Sequence, residues 1–473
     1  MPKALVYQVL PRLWKGGRFV DFDEASLAYV RGLGMTHIWY TGVIDHATRL
    51  PGYENASATC VKGTAGSPYS IRDYYAVAPY LGTMADFEAL VARTHAAGLK
   101  VIIDFVPNHV ARENVNFGQS DDRSVHWAPE NDFFYYPGEH LTLPGQSADY
   151  DEFPARASGN CFSPAPDIND WWDTVRLNYC DFHTGTWDKM LSVLRFWLAK
   201  GVDGFRCDMV EMVPWQFLRW LIAEVRKEFP EATFIAEAYN TDTYRHYLET
   251  VGFDLLYDKC GLYDTLRAVT CQGASAEGIT RNWQMLQDLQ PRMLNFLENH
   301  DEQRVASAQF AGSPEAGYAA LAVSAMLTDA PFMLYFGQEW GEPGGAADGR
   351  TSIFEIAPLP SFLAPFPSFQ APFPSFQGLS LESSPFPRYA DTLRLARALE
   401  GAPTYDLGWC QGEGFDRGRH FAWLRGSTLI VANFAPEDAE VTVRIPEGTP
   451  AGSASIQTLH VPGRDYAMTC ISL

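Results

Sequence analysis

Four short segments hold most of the residues able to do chemistry. They are Asp104-Phe105-Val106-Pro107-Asn108-His109, Gly204-Phe205-Arg206-Cys207-Asp208, Phe234-Ile235-Ala236-Glu237-Ala238-Tyr239 and Phe296-Leu297-Glu298-Asn299-His300-Asp301. Each closes an apolar, β-branched or aromatic run of strand length. Strand side chains alternate, so Arg206 and Asp208 share a face and Cys207 points the other way. Carboxyl groups gathered at strand ends can serve as nucleophile or as proton donor and acceptor. Taken singly, each segment also has a structural explanation. Arg206 and Asp208 make an ion pair, Asn108-His109 caps a helix, Glu237 is a charged strand end, and His300-Asp301 holds a loop.

The elements that must position these residues can be read from the alternation along the chain. Strands are expected at Ala4–Leu10, Thr36–Thr41, Lys100–Phe105, Val202–Cys207, Thr233–Glu237, Leu255–Tyr257, Met293–Leu297 and Phe332–Tyr335. Between them, Met84–Ala97, Trp187–Lys200, Trp215–Phe229 and Gly317–Leu327 have helical spacing. Eight strands alternating with helices predict an α/β fold with a parallel sheet, and eight is the number that closes a (β/α)8 TIM barrel. The carboxyl ends of such strands surround the active-site mouth.

Two segments break the alternation. Residues 110–185, after the third strand, are rich in Asp, Asn, Pro, Gly and aromatics, and are too long for a plain connection. The second break contains the heptapeptide Ala-Pro-Phe-Pro-Ser-Phe-Gln twice, at Ala364–Gln370 and Ala371–Gln377. Its proline density excludes helix and predicts an irregular or extended loop. Beyond Gly401, His420–Arg425, Thr428–Phe434, Glu440–Ile445 and Met468–Leu473 predict a small antiparallel β-sandwich. The expected division is 1–109 with 186–400 for the barrel, 110–185 for an inserted domain, and 401–473 for the sandwich.

Charge narrows the partners. The net charge is −21, from 36 basic and 57 acidic residues. That balance argues against nucleic acid and against anionic lipid, both of which bind through Lys and Arg. A neutral partner such as a sugar meets no repulsion, and aromatic side chains, 14% of the chain, suit stacking on sugar rings. The eight cysteines form no CxxC, so neither a zinc site nor a disulfide framework is indicated. No window approaches a membrane span, and the N-terminus lacks a secretory leader pattern, which leads to a cytoplasmic expectation.

Together, in this order, the four segments resemble the motif regions of the α-amylase family, glycoside hydrolase family 13. The resemblance extends to Ser67-Pro68-Tyr69-Ser70-Ile71-Arg72-Asp73-Tyr74-Tyr75 with Leu81-Gly82-Thr83-Met84-Ala85-Asp86-Phe87, and to Tyr335-Phe336-Gly337-Gln338-Glu339-Trp340-Gly341. It implies a retaining α-glycoside hydrolase that cleaves α-1,4-glucosidic bonds of maltooligosaccharides or related α-glucans through a covalent glycosyl-enzyme intermediate. Retention uses two carboxyl groups roughly 5–5.5 Å apart, a spacing that neighbouring strand ends can supply.

The resemblance makes Asp208 the nucleophile, Glu237 the general acid/base, and Asp301 the third acid, which holds sugar hydroxyls and favours the distorted ring. Arg206 is expected to keep Asp208 ionised, and burial with carboxylate neighbours to raise the pKa of Glu237. His109 and His300 match residues that bond the sugar undergoing cleavage, and Tyr69 matches the aromatic that stacks beneath it. Tyr239 is read as a further sugar-binding residue. Asp104 and Asn108 are expected to organise the site, and Arg304 to pair with a site carboxylate or lie on the surface. A transglycosylase, a trehalose- or sucrose-active relative, and a non-catalytic binding barrel are the alternatives.

The chain departs from the family pattern in two places. Three and four residues after the nucleophile the family often carries Lys and His; here they are Glu211 and Met212. Where it often has Pro-Asp-Leu-Asn, with the Asp helping to hold calcium, this chain reads Val175-Arg176-Leu177-Asn178. An arginine there can replace a metal by its own charge; structural calcium through Asn108 is the other reading. Asp167, Asn169 and Asp170 can supply oxygens to a cation or simply build a turn. The chemistry itself requires no cofactor.

Overall fold

The computed structural model describes residues 3–51, 60–112, 115–116, 119–120, 137–144, 152–179, 185–356 and 384–471. The tandem heptapeptide at 364–377 lies outside them.

Eight parallel strands close into a barrel: Leu5–Val9, His37–Tyr40, Lys100–Phe105, Gly204–Cys207, Thr233–Ala236, Leu255–Tyr257, Met293–Phe296 and Phe332–Tyr335. Each pairs with its neighbours in sequence order, and the first meets the eighth through Leu5 and Phe332. These strands read as apolar runs because the barrel interior buries one face and the surrounding helices bury the other. On the fourth strand Arg206 registers with Asp104 on the third and Ile235 on the fifth. Gly204 is required there, since a Cβ would stand 2.5 Å from the Thr233 carbonyl oxygen.

The helices begin where local chemistry starts them. Thr83 accepts from the Asp86 backbone N–H while the Asp86 side chain accepts from Thr83, a reciprocal cap that opens Met84–Ala96. Gly185–Ala199, Trp215–Glu228 and Tyr318–Met326 agree with the expected helices to within two residues at each end.

After the third strand the chain leaves the barrel, and its described parts include His109–Ala111 paired antiparallel with Thr174–Arg176. The C-terminal region forms a four-stranded sheet of Thr404–Asp406, His420–Arg425, Thr428–Asn433 and Tyr466–Cys470, and a two-stranded sheet of Ala439–Ile445 and Ser455–Val461. Alternation along His420–Arg425 explains how they pack. Phe421 and Trp423 join the barrel-side core, while Ala422 and Leu424 face the second sheet with Val441, Val443 and Val461. Thr404–Asp406 and Ser455–Val461 were not expected. In Ser455–Val461 only Leu459 and Val461 are buried, so the strand is stabilised by seven registered pairs with Ala439–Ile445 rather than by its own pattern.

Candidate active site

A cavity of about 340 Å3 opens at the carboxyl ends of the barrel strands. Tyr69, His109, Asp208, Glu237, Tyr239, His300 and Asp301 all line it. The seven were read from segments spread over about half the chain, and barrel closure brings them together.

Arg206 is the hub. It is fully buried, with one guanidinium nitrogen 2.6 Å from Asp208 and another 2.8 Å from Glu237. Its Nε donates to the Tyr257 hydroxyl at 3.2 Å, and the rings of Trp39, Tyr69 and Tyr257 surround it at 5.3–5.5 Å. A guanidinium withdrawn from water is held there by the carboxylates it faces and by those ring faces.

Burial raises the pKa of both acids, and Arg206 opposes the rise in each. Asp208 receives the 2.6 Å Arg206 contact, which favours its carboxylate, and neighbouring Glu237 acts in the same direction. Glu237 is raised further by the charge of Asp208. The Asp208 charge thus pushes Glu237 upward while Arg206 and Glu237 pull Asp208 down, within a pair that titrates together. The expectation for Glu237 agrees with this. For Asp208 the expected effect of Arg206 is present, but it works against a burial effect in the opposite direction.

Glu237 is oriented by two donors. The Met209 backbone N–H reaches one carboxyl oxygen at 2.8 Å and the Tyr239 hydroxyl reaches the other at 2.6 Å. Met209 makes its bond from a left-handed conformation, φ +44°, unusual for a residue with a side chain. Strain of this kind gathers where a site over-determines the backbone. Tyr239, read from sequence as a sugar contact, here bonds the Glu237 carboxyl.

Opposite this pair, Gln8 donates to His300 Nδ1 at 2.8 Å, which leaves the proton on Nε2. That nitrogen lies 3.0 Å from Asp301 and also bonds the Tyr69 hydroxyl. Burial and the nearby Arg206 hold His300 neutral. Tyr69 stacks on the His300 ring at 5.1 Å and donates to Asp104 at 3.3 Å. Asp104 also accepts from the Gly42 N–H, and burial lifts its pKa to about 7. Asp301 is raised by desolvation and then by Glu237, although its side chain is 42% exposed to the cavity. His109 is pulled down to about 4 by burial, so it too is neutral near pH 7.

Several lining residues escaped sequence reasoning. Lys62 donates to the Asp170 carbonyl at 2.8 Å and lies 3.7 Å from Asp173, which also accepts from Ser70. Trp171 packs on His109 with ring centroids 5.2 Å apart. With Ile353 and Phe354 these residues form walls of the cavity. Glu211 accepts from the backbone N–H groups of Tyr239 and Asn240, each at 3.0 Å. The acidic departure three residues after Asp208 thus anchors the loop that carries Tyr239. Arg304 is fully buried and pairs with Glu298 at 2.8 Å, not with the three cavity acids.

Among the described residues, Asn108 does not stand in a donor set suited to calcium. Its amide nitrogen donates to the Gly159 carbonyl at 2.9 Å, and the Arg176 guanidinium donates to the same oxygen at 3.1 Å. Asp167, Asn169 and Asp170 close on one another as a turn, with Asp167 N–H to Asp170 at 2.7 Å and Asn169 N–H to Asp167 at 2.8 Å. Among the described residues no cluster of three or more His, Cys, Asp or Glu side chains could hold a metal ion.

Fold and site together define a (β/α)8 barrel whose cavity is lined by acids at the strand ends. The sequence model of the α-amylase catalytic domain matches residues 24–355, and the chain belongs to the α-amylase family. An oligo-1,6-glucosidase of Halalkalibacterium halodurans is 31% identical over 226 residues, covering 45% of this chain and 35% of the relative. A cyclomaltodextrin glucanotransferase of a Bacillus species is 26% identical over 364 residues, 74% of this chain and 47% of the relative. The chain thus spans from about a third to half the length of these curated relatives. Among solved structures, a noncanonic maltogenic α-amylase of Thermotoga neapolitana superposes with a TM-score of 0.67 at 22% identity, over 99% of this chain and 97% of the other. The fold is that of the family.

Proposed function

We propose that the protein is a retaining α-glucoside hydrolase acting on α-1,4-glucosidic bonds of maltooligosaccharides or related short α-glucans. One observation carries the reading: Asp208 and Glu237 line a single cavity from adjacent strand ends, held by two nitrogens of the same Arg206 guanidinium at 2.6 and 2.8 Å. A sugar entering there can present its anomeric carbon to one acid and its glycosidic oxygen to the other.

Asp208 attacks the anomeric carbon while Glu237 gives its proton to the departing oxygen; the glycosyl–oxygen bond breaks as the ester to Asp208 forms. Glu237, now a carboxylate, takes a proton from water, and the resulting attack releases the sugar with its original anomeric configuration. Asp301 and neutral His300, 3.0 Å apart, hold sugar hydroxyls as the ring flattens. His109 and Tyr69 bind the same sugar, and Tyr239 both lines the cavity and steadies Glu237. The cavity volume sits at the small end of the roughly 300–1,000 Å3 range of small-molecule sites, which favours short substrates.

In this reading residues 1–109 and 186–400 form the catalytic barrel, 110–185 the inserted domain and 401–473 the C-terminal sandwich. The protein works in the cytoplasm, where thiols such as those of Cys207 and Cys410 stay reduced. Its partners are sugars rather than nucleic acid or membrane; among the described residues no helix is long and apolar enough to cross a bilayer.

The test is a screen of maltotriose, isomaltose and trehalose, with product chromatography and anomer-resolved NMR. Glucose and maltose released from maltotriose with retention are expected. Inversion, or turnover confined to the other two sugars, overturns the assignment, and products longer than the substrate make the enzyme a transferase.

A further inference from the structure

Among the described residues, three separate stretches of chain meet beside the site without a cluster of metal-ligating side chains. Asn108 ends the third barrel strand's motif, Gly159 belongs to the excursion, and Met212 closes the turn Val210–Met212 after the nucleophile strand. The backbone carbonyls of Gly159 and Met212 both point to Arg176, at 3.1 and 2.9 Å from its two terminal nitrogens. Gly159 can come this close because it lacks a side chain; a Cβ would lie 2.8 Å from Thr174 Oγ1 and 2.9 Å from Trp171.

Carbonyl oxygens from distant segments aimed at one point are what a hard divalent cation gathers, at roughly 2.3–2.6 Å from each. Here a guanidinium stands at that point, its plane over the Phe162 ring at 5.0 Å, and the Asn108 amide adds a further N–H to the Gly159 oxygen. A calcium ion bound to these carbonyls would collide with the guanidinium and face its positive charge. The fork of two N–H donors suits two acceptors set apart, a task a point charge does less well.

We infer that Arg176 permanently does the work of a structural cation at this junction, making the protein independent of calcium. Arg176 touches none of the three cavity acids; it is a positioning residue. It ties the excursion, which supplies Trp171, Asp173 and Thr174 to the cavity wall, to the turn that follows Asp208 and Met209. Because arginine does not lose its proton in the working pH range, the tie ignores both pH and metal supply. The inference does not depend on the substrate, and melting temperature tests it apart from any activity.

The whole chain is stripped with excess EDTA and melted with and without about 1 mM Ca2+. Its Tm is expected to stay within about 1 °C, whereas a calcium site filled to a hundred times its Kd would raise it by about 2–3 °C. Arg176→Met removes the charge without adding an oxygen, and should lower Tm by several degrees in either buffer. Below its Tm it should lose about 10- to 100-fold in kcat with KM within about twofold, as displacement of a catalytic loop does. Arg176→Asp places a carboxylate among the same carbonyls and should become calcium-responsive in Tm. Should Arg176→Asp not fold, the wild-type and Arg176→Met arms decide alone. A calcium-raised Tm in the wild type, an Arg176→Met variant that melts like the wild type, or one that changes KM alone overturns the inference.

Discussion

Tyr239 donates its hydroxyl to Glu237 at 2.6 Å, from two residues further along the same strand end. The bond steadies the carboxylate form of Glu237 and lowers a pKa that burial has raised. The loop behind Tyr239 is in turn held by Glu211, which accepts from the Tyr239 and Asn240 N–H groups. A carboxylate outside the three cavity acids therefore bears on the proton affinity of Glu237.

The activity should depend on pH as a bell. Asp208 must be ionised, so the rate rises as pH passes its pKa; Glu237 must be protonated, so the rate falls as pH passes its pKa. Burial raises both. Tyr239→Phe removes a bond that favours the carboxylate, so the alkaline limb should move to higher pH. A kcat/KM profile of the two proteins checks this, and a shift to lower pH would contradict it.

The two acids should separate by leaving group. Asp208→Asn should lose at least about 10^3-fold in kcat on every substrate. Glu237→Gln should lose about 10^2- to 10^4-fold in kcat/KM on maltotriose but far less in kcat/KM on an aryl glucoside whose phenolate leaves without a proton. Parallel kinetics on both substrates checks the roles; equal losses for Glu237→Gln would refute its part as the acid.

Arg206 should matter to folding as well as rate. Replacing it by Ala leaves Asp208 and Glu237 buried without the guanidinium that faces both. Destabilisation of about 3–5 kcal/mol is expected in chemical denaturation.

Trp171 should act on binding. Its ring packs on His109 in the cavity wall. Trp171→Ala should raise KM for maltotriose by about 3- to 10-fold, the size of one lost aromatic stacking contact. A variant with unchanged KM would place the sugar elsewhere.

Much of the barrel could be read in advance because its strands are short apolar runs with helices between them, and neither signal needs distant contacts. Ser455–Val461 could not, because its two buried residues give it a weak pattern and its pairing with Ala439–Ile445 supplies the rest. Lys62 and Asp173 were invisible for a related reason: no spacing rule joins two residues so far apart in the chain. Arg304 could be read as pairing with an acid, but not that the acid would be Glu298 rather than one in the cavity.

By itself the sequence determined which acids, histidines and aromatics stand at the strand ends, because strand alternation and motif order are local properties of the chain. Only the tertiary structure decided which oxygen each donor meets: Arg206 between two carboxylates, Glu211 on the Tyr239 loop, Arg176 on the Gly159 and Met212 carbonyls. Those partners are chosen when the barrel closes and the excursion folds back, since a buried charge must find whichever opposite charge or carbonyl the packing brings within reach.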